Sequence, residues 1–166
     1  MITLESGLLF EDSKEMLSWG ITRDKAWRVS KPSPYNLPED KTRIKWEATI
    51  LGGLDCGILA YLPNEDSLDH LTIWIRERKG YRGSDALYHY LKFFDHLASQ
   101  MGSPIATPSK GNLYGPILTW EYDSCSLQLY AGERHGDFCT LEINHGRKPR
   151  FNVEQDAAMK NQRKSE

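Results

Sequence analysis

Two stretches of the chain alternate strictly between apolar and polar residues. From residue 43 onward, Ile44, Trp46, Ala48 and Ile50 point one way while Lys45, Glu47 and Thr49 point the other, the pattern of a half-buried strand. Gly52 and Gly53 read as a turn, and residues 56–62 and 69–76 as two further strands, the second with Leu71, Ile73 and Ile75 on one face. These three strands make a meander. A second meander is predicted near residues 117–122, 125–130 and 138–143. Between the two, the period becomes helical: Leu87, Tyr90, Leu91, Phe94, Leu97, Ala98 and Met101 recur at i, i+3, i+4 and i+7. Ser84 or Asp85 starts this helix, and Gly102 with Pro104 stops it.

Ahead of the first meander, residues 2–10 read as a strand, and SKEMLSWG fits neither period. Thr22 is placed to cap a short helix over 23–29, which the three prolines of KPSPYNLP bring to an end. The order is then β, α, βββ, α, βββ. It implies an α+β fold: a two-layer sandwich with an antiparallel sheet and two helices on one face. IKWEA and LTWEY each open a meander with Trp-Glu, at Trp46-Glu47 and Trp120-Glu121, so a duplicated α-βββ unit is a further expectation. Residues 1–145 form a single domain in this scheme, and 146–166 a polar, basic, flexible tail.

Register follows from the same alternation. Pairing Cys125 with Ile143 sets Leu127 against Leu141 and Leu129 against Cys139, whereas a slip of one residue mixes polar with apolar throughout. Likewise Ile58 faces Ile73 and Ala60 faces Leu71 on the helix-covered side. The opposite face is left with Lys45, Glu47, Thr49, Leu59, Tyr61, His70, Thr72, Trp74, Arg76, Glu121, Gln128, Tyr130, Phe138 and Thr140. It is mixed in polarity and rich in aromatics.

Composition narrows the function. The 166 residues carry a net charge of −2, but the tail after His145 holds six Lys/Arg against three Asp/Glu, leaving 15 basic and 20 acidic groups before it. An acidic body lacks the basic patch that neutralises phosphates, which argues against nucleic acid and for a basic partner. The first residues lack the basic start and apolar run of a secretory signal, and no stretch approaches the ~20 apolar residues that span a bilayer. The expectation is a cytoplasmic chain with no membrane contact. Cys56, Cys125 and Cys139 are odd in number and lack CxxC spacing, as buried hydrophobes do rather than disulfide or zinc ligands.

Candidate chemistry is sparse. His89, Lys92 and His96 share the polar side of the long helix, but residues seven apart lie ~10.5 Å along the axis, too far for two imidazoles to bind one zinc. Glu133, Arg134, His135 and Asp137 in AGERHGDF include a carboxylate that can orient a histidine for proton transfer, yet Gly132 and Gly136 also fit an ordinary hairpin loop with solvated charges. An enzyme or small-ligand protein would use His135 or His89 in a pocket between helix and sheet. No nucleotide-binding glycine pattern or GxSxG nucleophile is present, so no cofactor and no metal is expected. The alternative class is a binding module, either a toxin-neutralising protein or a regulatory adaptor. Its partner surface would comprise Tyr61, Trp74, Arg76 and Tyr130 on the open sheet face, flanked by the acidic Glu65, Asp66 and Asp69 and by Glu133 and Asp137. A homodimer is one further way to cover that face.

WGITRD ahead of the first helix, MGSP closing the second, and GERHGD after a Trp-bearing strand resemble small cytosolic immunity proteins of bacterial toxin systems. The resemblance spans residues 1–145. It implies neutralisation of a toxin by direct binding, and a basic toxin domain is the partner that would suit the acidic body.

Overall fold

A computed structural model describes residues 4–34, 42–62, 67–76, 85–109, 111–133 and 136–146. Among them lie nine strands and two helices: β1 (Gly7–Phe10), β2 (Glu15–Ser18), α1 (Arg23–Ala26), β3 (Arg43–Ile50), β4 (Leu54–Tyr61), β5 (His70–Ile75), α2 (Asp85–Met101), β6 (Ile105–Thr107), β7 (Ile117–Glu121), β8 (Cys125–Glu133) and β9 (Asp137–His145). The chain is α+β and mostly β, with every described strand pairing antiparallel. The tail after residue 146 lies outside the described residues.

Both meanders are present, and they join through their last strands in a seven-stranded sheet of order β3-β4-β5-β9-β8-β7-β6. The first has the expected register, with Ile58 opposite Ile73 and Ala60 opposite Leu71. Its chains cross over at Leu51, Gly52 and Gly53, all at positive φ. In the last hairpin the pairing is displaced by two residues from expectation. Cys125 faces His145, Leu127 faces Ile143 and Leu129 faces Leu141. The strands run on to a Glu133↔Asp137 pair, so the turn is tighter than the long loop expected over AGERHGDF. A shift of two preserves which face every side chain occupies, which is why the facial assignment survives the error. Gly132 belongs to the strand and not to the turn. A Cβ there would run into the Asn112 carbonyl and Leu113, whereas Gly136 has a positive φ of 128°.

Two elements went unforeseen. SKEMLSWG supplies β2, which pairs with β1 through a turn where Lys14 takes a φ of 59°. The hairpin buries Leu8, Phe10 and Leu17, and sets the Phe10 ring 5.9 Å from Trp46. Its attachment is polar: the Glu11 amide donates to the Thr49 carbonyl at 2.8 Å, and the Gly52 amide donates to the Glu11 carboxylate at 2.5 Å. β6 arises in the connection after α2 and pairs with β7 at the far edge of the sheet.

Helix α1 is a single turn, shorter than the sequence implies, and Thr22 makes no side-chain capping bond. Helix α2 packs on β8 and β9, but not along the expected stripe. Its inward residues are Ala86, Tyr90, Phe93 and Leu97, while Leu87 and Leu91 are exposed. Apolar residues cover more than half of this helix's circumference, so periodicity could not choose between two overlapping stripes, and contact with the sheet did. Two side chains fasten the helix to the segments beneath it. Tyr90 Oη donates to the Pro116 carbonyl at 2.6 Å, and His96 Nε2 donates to the Leu51 carbonyl at 2.6 Å.

Trp46 and Trp120 are both buried in the helix-side core. Trp46 Nε1 donates to the Val29 carbonyl at 3.0 Å, 17 residues upstream and just past α1. Trp120 Nε1 donates to the Gly102 carbonyl at 2.9 Å, 18 residues upstream and just past α2. In each half, the indole on the meander's first strand donates to a backbone carbonyl of the segment that follows the preceding helix.

Candidate partner-binding face

Strand pairing places the side chains on the sheet face opposite α2 in transverse rows. One row runs Lys45, Leu59, Thr72, Glu142, Gln128, Thr119. The next contains Arg43 and Tyr61 on β3 and β4, then His70, Asn144 and Ser126 on β5, β9 and β8. Burial divides these rows between β5 and β9. On β3, β4 and β5 the side chains are exposed or half-buried, whereas Thr119, Ser126, Gln128, Tyr130, Glu142 and Asn144 on β7, β8 and β9 are all buried.

The open half carries Tyr61, 54% exposed, and Trp74, 36% exposed. Leu59 and Thr72 are half-buried between them. The Trp74 indole does not project freely; it lies across the neighbouring strand, on Gly57, where a Cβ would overlap its Cε2, Cζ2 and Nε1 atoms. Glycine at 57 therefore makes the seat for the ring. Arg76 is held by two carboxylates, with Nη2 at 2.7 Å from Glu47 and Nη1 at 3.1 Å from Asp55. Its guanidinium ties the end of β5 to β3 and β4, so the arginine expected on the partner surface is already paired within the chain.

The closed half corrects the expectation of a uniformly open face, because Tyr130 is buried there. Its hydroxyl donates to Glu142 Oε1 at 2.5 Å, and Phe138 meets its ring edge-on at 6.1 Å. Gln128 Nε2 donates to Thr119 Oγ1 at 3.4 Å. His70 Nδ1 donates to Asn144 Oδ1 at 2.8 Å, which leaves Nε2 to accept from the Thr72 hydroxyl at 3.2 Å. Three polar atoms in this half are buried with no hydrogen-bond partner: Glu142 Oε2, Asn144 Nδ2 and Ser126 Oγ. Buried polar groups are matched in all but a few cases per domain, so three on two adjacent strands mark this patch as unusual. The sequence analysis named none of the three: Asn144 lay beyond the predicted end of the last strand at 143, and Ser126 and Glu142, though inside predicted strands, were not assigned to the open face. Alternation through Leu141, Glu142, Ile143 and Asn144 was the signal that could have found two of them.

The remaining sequence candidates are dispersed. Glu65, Asp66, Arg134 and His135 lie outside the described residues. Asp69 is half-buried, and its carbonyl accepts from the His145 amide at 2.8 Å. Glu133 and Asp137 are exposed and pair across the hairpin end, and Asp137 accepts a hydrogen bond from Tyr114 Oη. That bond, ahead of desolvation, pushes the Tyr114 phenol up to about 12. His89 is half-buried with its ring 5.7 Å from Tyr88, away from His96, whose Nε2 is engaged by Leu51. No cluster of three or more metal-ligating side chains occurs among the described residues.

The three cysteines are free and buried on the core side. Burial pushes the Cys56 thiol up to about 12, with the Asp55 charge adding to the effect, and burial does the same for Cys139. Cys125 is shifted upward too, first by desolvation and then by Glu5. A thiol held protonated in this way is a poor nucleophile.

Fold and site together define an α+β chain with one sheet face divided between an aromatic, open half and a closed, polar half. No protein-family model, no curated protein and no solved structure matches the chain. No helix among the described residues is long and apolar enough to cross a membrane.

Proposed function

We propose that this chain is a non-catalytic binding module that neutralises a toxin-like protein by direct contact in the cytoplasm, with the open half of its sheet face as the docking surface. The observation that carries the proposal is the seated indole of Trp74. A large aromatic fixed in place by Gly57 and still partly exposed has already lost its rotamer entropy, which is one of the costs of binding. Tyr61 stands on the adjacent strand, and tyrosine and tryptophan are the types that dominate interface hot spots. The excess of acidic groups before the tail favours a basic partner by steering its approach.

Capture from a lysate of the native host, read by mass spectrometry, tests the proposal with wild-type, Trp74→Ala and Tyr61→Ala baits. Loss of a hot-spot aromatic costs about 2 kcal/mol, roughly thirty-fold in affinity. A single dominant basic protein retained by the wild type and lost from Trp74→Ala is the expected result. Equal retention by all three baits would remove the open half-face from consideration.

The architecture itself we read as a two-layer sandwich built from a duplicated α-βββ unit. Its support is the matching role of Trp46 and Trp120, each donating to a carbonyl 17 or 18 residues upstream and just past the preceding helix, together with the mirrored order of the two meanders, β3-β4-β5 and β9-β8-β7, about the β5-β9 junction, with β6 added at one edge.

A further inference from the structure

The closed half of the sheet face contains a carboxylate that its own fold leaves half-matched. Glu142 is 5% exposed; Oε1 accepts from Tyr130 Oη, and Oε2 has no partner. Two residues along β9, Asn144 is equally buried, with Oδ1 on His70 and Nδ2 unmatched. Flipping the amide only exchanges which of its atoms is left over. Ser126 Oγ, across the hairpin from Asn144, is the third. A buried carboxylate is stabilised when a cation or several donors face it, and leaving it without them is unfavourable. No ion pair to Glu142 is formed among the described residues.

We propose that Glu142 is the receptor for a single basic side chain, an arginine guanidinium or a lysine ammonium, inserted by the partner protein. A guanidinium supplies the N–H donors that Oε2 lacks. The backbone carbonyl or hydroxyl accompanying it can accept from Asn144 Nδ2. Glu142 lies just inside the boundary with the open half. Its register partner on β5 is Thr72, whose Cβ is about 5 Å away and whose side chain is half-exposed. A chain docked over Tyr61 and Trp74 therefore reaches the carboxylate by passing one side chain over Thr72, with Trp74 offering a partly exposed ring to a cation on the row beside it. This assignment rests on the protein-binding function proposed above and names the chemistry of the group received.

The test uses small probes on the full chain. N-acetyl-arginine methylamide is titrated into ¹⁵N-labelled protein against the neutral isostere N-acetyl-citrulline methylamide, with amide shifts at Thr72, Glu142 and Asn144 as the readout. The expected result is a saturable shift at these three residues with the arginine probe, weakened roughly ten-fold or more by citrulline or by Glu142→Gln, as befits loss of a charged hydrogen bond. Equal shifts with both probes, or arginine binding that Glu142→Gln leaves unchanged, would overturn the assignment. If Glu142→Gln does not fold, the comparison of the two probes on the wild type decides alone. Failure here would leave the partner surface standing, because that is read separately by Trp74→Ala in lysate capture.

Discussion

Gly57 and Trp74 should be coupled with a change of sign. A tryptophan buries on the order of 200 Å²; at 36% exposure about two thirds of it is covered, which at ~25 cal/mol per Å² amounts to ~3 kcal/mol. Gly57→Ala puts a methyl where the indole lies, so the ring must leave its seat and part of that burial is forfeited, at a cost of about 1–3 kcal/mol. In a Trp74→Ala background the seat is empty. The same substitution there should stabilise by ~0.5–1 kcal/mol, because alanine loses less backbone entropy than glycine in a strand. The two changes therefore miss additivity by about 2 kcal/mol or more, against the ~0.5 kcal/mol scatter of independent sites. Urea midpoints of the four proteins in the cycle, compared at a common m-value, measure this directly. Additive costs, or a Gly57→Ala that destabilises equally in both backgrounds, would show that the ring is not seated on the glycine.

Two more predictions concern the core. Phe93→Ala should cost ~3–5 kcal/mol and Leu91→Ala under about 1 kcal/mol in a denaturant titration, because Phe93 is buried and Leu91 is exposed; the reverse order would restore the stripe expected from periodicity. The raised thiol values of Cys56 and Cys139 make stability fall in base. From 9.0 to about 12 each thiol ionises in the unfolded chain before the folded one, so stability is full below pH 9 and is lost by up to ~1.4 kcal/mol per thiol per pH unit as pH rises through that window. Thermal midpoints measured across this range check the slope, and Cys139→Ala should reduce it. Consistently, a thiol-specific disulfide reagent at pH 8 should label neither cysteine until denaturant is added.

The sequence by itself determined which face each strand residue occupies. Ile44, Trp46, Ala48 and Ile50 turn inward as the alternation requires, and the inward sets of β8 and β9 are correct although their pairing was misplaced by two residues. Side-chain direction is a local property with a period of two, so it needs no knowledge of partners. Register, by contrast, depended on the length of one turn, and the composition of AGERHGDF did not reveal that the strands continue through Glu133 and Asp137. Helix α2 shows the same limit from another direction: its existence was legible, but which stripe faces the sheet was not, because Leu87 and Leu91 are as apolar as Ala86 and Phe93. Tertiary structure alone decided the candidate site. The sequence marks Trp74 and Tyr130 as equivalent residues on one face, yet Trp74 is partly open on the seat made by Gly57 while Tyr130 is buried and bonded to Glu142. Exposure is a property of what lies across the sheet and above it. A strand's own alternation holds no information about either, and so neither the division of the face nor the unmatched carboxylate at its boundary could be read before the strands were assembled.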